Sequence, residues 1–219
     1  MSDPGHLTAP GGSPSPRLPM PSRLPTPSRL PTPSQTAGPF VSLGTAWLAD
    51  ACTVSDSDPR AIVVAGSVVD GDECPVTDAM LEFWHADAAG ASLFGSSRPW
   101  RGLARALSGP DGRYRLVTVK PAALPAVSGP AGQLQAPHID VSIFARGLLQ
   151  RLVTRIYFSD EEANEADPVL AGLESPDLRR RLVAQRYDDR DPGSANGAPT
   201  YGFDIHLQGD RETVFFGPW

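Results

Sequence analysis

The sequence predicts a mostly β protein, an antiparallel sandwich with one or two short helices and a Pro-rich N-terminal arm. Three observations carry that expectation: several short alternating or β-branched runs, turn residues between them, and a Pro/Ser/Gly-rich opening that cannot build a core. Hydrophobic residues make up 40% of the 219 positions and charged residues 20%, which suits a globular chain.

The first strand candidate, Ile62–Val69, is β-branched and ends in the turn pair Asp70-Gly71. Ala79–Trp84 is the second. Gly112–Lys120 alternates cleanly after the turn Gly109-Pro-Asp-Gly112, and His138–Phe144 alternates again. Leu152–Phe158 follows across a short connection at Gly147. Tyr201–Leu207 and Glu212–Phe216 close the set, joined by Gln208-Gly-Asp-Arg211 as a hairpin loop. Seven short strands with turns between them read as a sandwich. Two helical pieces are expected. Ser159–Asp167 carries acids near its start. Ser175–Ala184 offers Ser at the cap, Pro in the first turn and arginines toward its end.

Residues 1–31 form a low-complexity head. Arg17-Leu-Pro-Met-Pro-Ser22 repeats as Arg23–Ser28 and again as Arg29–Ser34, a six-residue period that favours extended polyproline II. We expect this head to be disordered, with translation starting at Met20 as one hypothesis for its origin. Residues 32–219 form the domain, beginning with an ordered arm over 32–44 that ends in the apolar Phe40, Val41 and Leu43.

Composition narrows the function classes. The formal net charge is −6, and Lys120 is the lone lysine among 19 basic residues, so no basic face for nucleic acid is predicted. Arginine in that proportion suits carboxylate pairing. The two cysteines, Cys52 and Cys74, make neither a disulfide framework nor a zinc pattern, which suits a reducing cytoplasm. No basic-then-apolar leader opens the chain, and no apolar run approaches membrane-spanning length.

His138 and Asp140 lie two apart in one strand, so both face the same side. With His85 or His206 they could complete a two-His, one-carboxylate metal site, and the spacing alone leaves that open beside a strand with one polar face.

Five segments carry a resemblance. They are Thr32-Pro-Ser-Gln-Thr-Ala-Gly-Pro-Phe40, Leu81-Glu-Phe-Trp-His-Ala-Asp87, Gln135-Ala-Pro-His-Ile-Asp-Val-Ser-Ile-Phe-Ala-Arg-Gly147, Thr154-Arg-Ile-Tyr-Phe158 and Gln208-Gly-Asp-Arg-Glu-Thr-Val-Phe-Phe216. In this order they resemble the intradiol ring-cleavage dioxygenases. The resemblance implies a high-spin Fe(III) held by two tyrosines and two histidines. It places Ser92 and Leu124 where the tyrosines stand, and His138 and Asp140 where the histidines stand. The expected consequence is an iron-free subunit, with no catalytic or metal residue of its own, whose cofactor is Fe(III) on a partner β subunit.

The resemblance further implies that this chain lends Thr36, Gly38, Pro39, Phe40 and Arg146 to the partner's substrate pocket, in an assembly of repeated α–β units. The substrate would be a small dihydroxylated aromatic acid such as protocatechuate, consumed with O2. The family commonly ends the arm in tyrosine, and Phe40 lacks that hydroxyl. Gly66–Ala79 and Asp111–Tyr114 also resemble the transthyretin-like and carboxypeptidase-regulatory sandwiches, so a non-catalytic binding module stands as the alternative, beside a metalloenzyme built on His138 and Asp140.

Overall fold

A computed structural model describes residues 33–36, 38, 40–45, 51–89, 102–126, 130, 132–187 and 197–217. The head over 1–31, Met20, Pro39 and Ser92 lie outside the described residues.

Five expected strands are present. They are β1 (Ala61–Val69), β2 (Met80–Trp84), β4 (Arg113–Val119), β7 (His138–Phe144) and β8 (Leu152–Phe158). Two more, β3 (Leu103–Leu107) and β9 (Val183–Tyr187), were not expected. A two-residue pair, β5 (Leu124–Pro125) and β6 (Leu134–Gln135), stands apart. Pairing runs β11-β1-β10-β9-β8-β7-β2-β3, with β4 on the other side of β1, where β10 is Thr200–Gly202 and β11 is Ile205–His206.

Most pairings are antiparallel, as expected of a sandwich, but β1 runs parallel to β10 and β11, and β8 parallel to β9. The two halves close on one core. Val64, Val68, Leu116 and Ile205 from one half meet Leu81, Phe83, Ile139, Val141 and Ile156 from the other, all at or near zero exposure. The alternation read from sequence is therefore the inward set of each strand.

The run Tyr201–Leu207 is broken at Phe203 and Asp204 into β10 and β11. The break has a physical cause. The Phe203 carbonyl turns inward and accepts a hydrogen bond from the Tyr114 hydroxyl at 2.6 Å. It lies so close to Gly66 that a Cβ there would stand 1.9 Å from it. Asp204 Oδ1 then accepts from both Ser67 N and Ser67 Oγ, at 2.8 Å each. Glu212–Phe216 is a correction: it forms no strand, only a single bridge from Phe216 to Val153, while Thr213 N donates to His206 O at 3.0 Å.

The helical expectations hold in shortened form. Ser159–Asp167 contains a 3-10 turn, Glu162–Ala166. Ser175 Oγ caps Asp177 N at 3.1 Å and α3 (Pro176–Arg180) starts on Pro176. Helix α3 ends before Val183 because Val183–Tyr187 joins the sheet, a tertiary override of local propensity. Two further helices are α1 (Phe40–Thr45), in the arm, and α2 (Pro168–Ala171).

Gly66→Ala tests the close approach. The added methyl meets backbone rather than a yielding side chain, so we expect a loss of about 2–3 kcal/mol in unfolding free energy from overpacking, measured by urea denaturation. A neutral result would show that the Phe203 carbonyl does not sit there.

Candidate functional site

The sheet gives β7 two chemically distinct ends. At its C-terminal end the chain turns through Arg146 and Gly147 into β8. Gly147 sits at φ 92°, a left-handed conformation that glycine tolerates without steric cost. Its N–H donates to Thr36 Oγ1 at 3.0 Å, and the same oxygen accepts from Gly38 N at 3.3 Å. Gly38 is itself at φ 61°. The arm is thereby tied to the β7–β8 turn, and Thr45 at the end of α1 reaches Met80 Sδ on β2 at 3.1 Å.

Arg146 stands beside this knot, 65% exposed, with Nε 3.4 Å from Asp78 Oδ2. Phe40 is 78% exposed and points away from the core. The structure therefore brings Thr36, Gly38, Phe40 and Arg146 to one end of the sheet. Asp78, which neutralises part of the Arg146 charge, is a residue that sequence reading missed.

At the other end of β7 lies a polar network, buried at Asp167 and partly exposed at Asp140. Arg155 Nε donates to Asp140 Oδ1 at 2.7 Å, and Arg155 Nη1 donates to Gln135 Oε1. The pair is dictated by register: Asp140 stands directly opposite Arg155, and His138 opposite Tyr157. Asp167 is fully buried. Its Oδ1 accepts from Val169 N at 2.8 Å, Leu170 N at 2.9 Å and the Tyr157 hydroxyl at 3.1 Å, and its Oδ2 accepts from Ala136 N at 2.8 Å. Asp167 thus caps α2 and pins the strand entry at once. The readable signal was Asp immediately before Pro168, a cap-and-first-turn pair.

Two histidines share a neutral form. His138 Nδ1 lies 2.7 Å from Ala136 O, and His85 Nδ1 2.6 Å from Ala86 O. A carbonyl only accepts, so each Nδ1 carries the proton. His85 Nε2 then accepts from the Thr118 hydroxyl at 2.6 Å, whose oxygen pairs with Thr53 Oγ1 at 2.7 Å. Burial is the largest cause lowering the pKa of both rings; for His138 the Arg155 charge adds to it, and for His85 the neighbouring His138 does. Burial pushes the Tyr157 phenol well above its usual value, so it stays neutral.

A family model described as Dioxygenase matches residues 37–209. The α chain of protocatechuate 3,4-dioxygenase from Pseudomonas putida is 40% identical over 196 residues, covering 83% of this chain and 93% of that one. The chain belongs to the intradiol dioxygenase family. A protocatechuate 3,4-dioxygenase β chain from Burkholderia cepacia is 33% identical over 161 residues, 69% of this chain and 66% of that one. The dioxygenase domain of a carbohydrate-binding fusion protein from Streptomyces sp. SirexAA-E superposes with a TM-score of 0.53 at 26% identity, covering 74% of this chain and 88% of that one.

Intradiol dioxygenases depend on iron, and the residues of this intradiol chain do not fit it. Leu124 has no donor atom. The Asp140 carboxylate is committed to Arg155, whose guanidinium brings positive charge to the residues that would face a cation. Tyr157, the nearby phenol, gives its proton to Asp167 and resists ionisation. His138 keeps one open nitrogen, and a lone imidazole does not hold Fe(III) against water. The alternative triad is not assembled either: His85 uses both ring nitrogens, and His206 lies on β11, which pairs only with β1. Among the described residues no three His, Cys, Asp or Glu side chains gather at metal distance.

Asp167→Ala leaves four donors without their acceptor and removes a helix cap. We expect a loss of about 3 kcal/mol in urea unfolding, set by buried unpaired donors. Unchanged stability would show that the network is not formed.

The lowered pKa values of His85 and His138 fix a pH slope. The unfolded chain binds protons on these rings at a pH where the folded chain does not, so stability is fully present above the ordinary histidine range near 6.5 and falls as pH drops below it. His85→Gln should flatten that slope in thermal melts between roughly pH 5 and 7. An unchanged slope would exclude His85 as its source.

Proposed function

We propose that this chain is the iron-free α-type subunit of a protocatechuate 3,4-dioxygenase and completes the substrate pocket of an iron-bearing β-type partner. The cofactor is Fe(III) on that partner. The substrates are protocatechuate and O2, and the product is 3-carboxy-cis,cis-muconate, formed in a cytoplasmic assembly of repeated α–β units. The identity to an α chain over most of both lengths supports the reading.

One observation carries the in-trans part. The arm is tied to the C-terminal end of β7, while His138 opens that strand, so the seven residues of β7 separate the two by about 20 Å. The arm cannot serve this chain's own degenerate centre and is free to serve another's. Iron on the partner supplies Lewis acidity to the two catechol oxygens. This chain's share is binding and orientation. Arg146, exposed and only loosely paired, offers a cation to the substrate carboxylate or its immediate surroundings. Gly38, at φ 61° and with no Cβ, lets backbone approach the ring, and Pro39 follows it in sequence. Phe40 adds an apolar wall and excludes water, without the hydroxyl that its tyrosine counterpart would offer.

Residues 32–219 form the working domain, and residues 1–31 are an appendage dispensable for turnover.

Co-expression with an iron-bearing β chain, followed by oxygen-electrode assays on protocatechuate, tests this. We expect uptake from the complex and none from either chain alone. We expect Arg146→Ala to raise KM roughly tenfold, the loss of about one charge-assisted hydrogen bond. A lone chain that purifies with stoichiometric iron and consumes a catechol would overturn the assignment.

A further inference from the structure

An open groove of about 360 Å³ lies between α3 and strands β9, β10 and β11. Its size matches a one-ring ligand. The chain as a whole carries a formal charge of −6, yet three guanidiniums, Arg180, Arg181 and Arg211, line this groove against two carboxylates, Asp177 and Asp204. Asp177 is engaged twice over, whereas Asp204 is engaged through one oxygen by neutral donors. Asp177 accepts from Arg181 through Oδ2 and from Arg180 through Oδ1, so one charge serves two cations. Asp204 Oδ1 is occupied by Ser67.

The arginines differ in commitment. Arg181 is spanned between Asp177 and the Glu212 carbonyl and is 28% exposed, so it is structural. Arg180 is 71% exposed and Arg211, whose ion pair is with Glu73 outside the groove lining, is 66% exposed. Both present N–H groups to solvent across the same groove. His206 also lines the groove, 14% exposed, with its Nδ1 enclosed and without a hydrogen-bond partner; Glu73 Oε1 is 3.6 Å away.

One wall is aromatic. Tyr187 lies flat over Gly202, so closely that a Cβ on Gly202 would stand 2.2 Å from its ring. Glycine is what permits that position. The ring remains 55% exposed, a flat apolar shelf beside the cations.

We infer that this groove is a second ligand site, taking a small aromatic carboxylate whose ring rests on Tyr187 and whose carboxylate is held by Arg180 and Arg211. Arginine forks match carboxylate geometry, and a stacked ring supplies the apolar contact that a bare anion lacks.

The test uses the full chain in whatever assembly it purifies, titrated calorimetrically with benzoate and, separately, with benzyl alcohol. We expect saturable benzoate binding of which one equivalent per copy of this chain is weakened at least tenfold in the Arg180→Ala/Arg211→Ala double variant. Both residues are exposed, so the fold should persist, and any oxygenase turnover of the assembly should be unchanged. Tyr187→Leu should weaken benzoate binding while leaving acetate binding, measured in parallel, unaltered. Benzyl alcohol should not bind this site. Benzoate stoichiometry and affinity identical in parent and double variant, or equal binding of benzyl alcohol, would overturn the proposal. Because the readout is binding lost on these variants, the outcome does not depend on whether the assembly cleaves protocatechuate.

Discussion

The turn at Gly147 is the constraint on which the rest of the molecule depends. It lies in the connection that joins β7 to β8, and the register of those strands puts Asp140 opposite Arg155 and His138 opposite Tyr157. The N–H of the same glycine anchors the arm through Thr36. One strand pair therefore carries the polar pairs toward one end and the arm at the other. A side chain here would strain the turn, and any shift of one residue would send the polar pairs of the outer face into the core.

At the described residues that resemble iron ligands, the side chains are committed to other partners. Removing donors from a buried site leaves polar groups that must find other partners. Here the vacancy in charge is met by Arg155, paired with Asp140 and Gln135, and the nearby phenol is turned toward Asp167. Asp167 in turn holds Ala136 N, which precedes His138 and fixes where β7 begins. The same residues that keep the fold satisfied thus disfavour a cation. The family relationship and the packing agree: the intradiol scaffold persists in this chain.

Part of this was legible in sequence for identifiable reasons. Strands whose inward residues alternate, such as β4 and β7, declare themselves because burial imposes period two. The caps at Ser175 and the turns at Gly112 and Gly147 declare themselves because few residue types suit those backbones. The missed elements lacked such signals. Leu103–Leu107 is short and carries Arg105, whose charge is paired with Glu82 on the neighbouring strand. Val183–Tyr187 follows helix α3 without a breaker, and only its pairing with β8 and β10 makes it a strand. The split between β10 and β11 depends on the close contact of Gly66 with Phe203, two residues far apart in the chain.

By itself the sequence determined the β-sandwich class, the arm, and the absence of tyrosine and of a second histidine at the residues that resemble iron ligands, because each is a matter of residue type at a local position. Tertiary structure alone decided that Arg155 takes up the Asp140 carboxylate, that Asp167 unites α2 with the entry to β7, and that the arm lies at the far end of that strand from His138. Those are statements about which distant residues meet, and only the closed packing of two sheet halves fixes them.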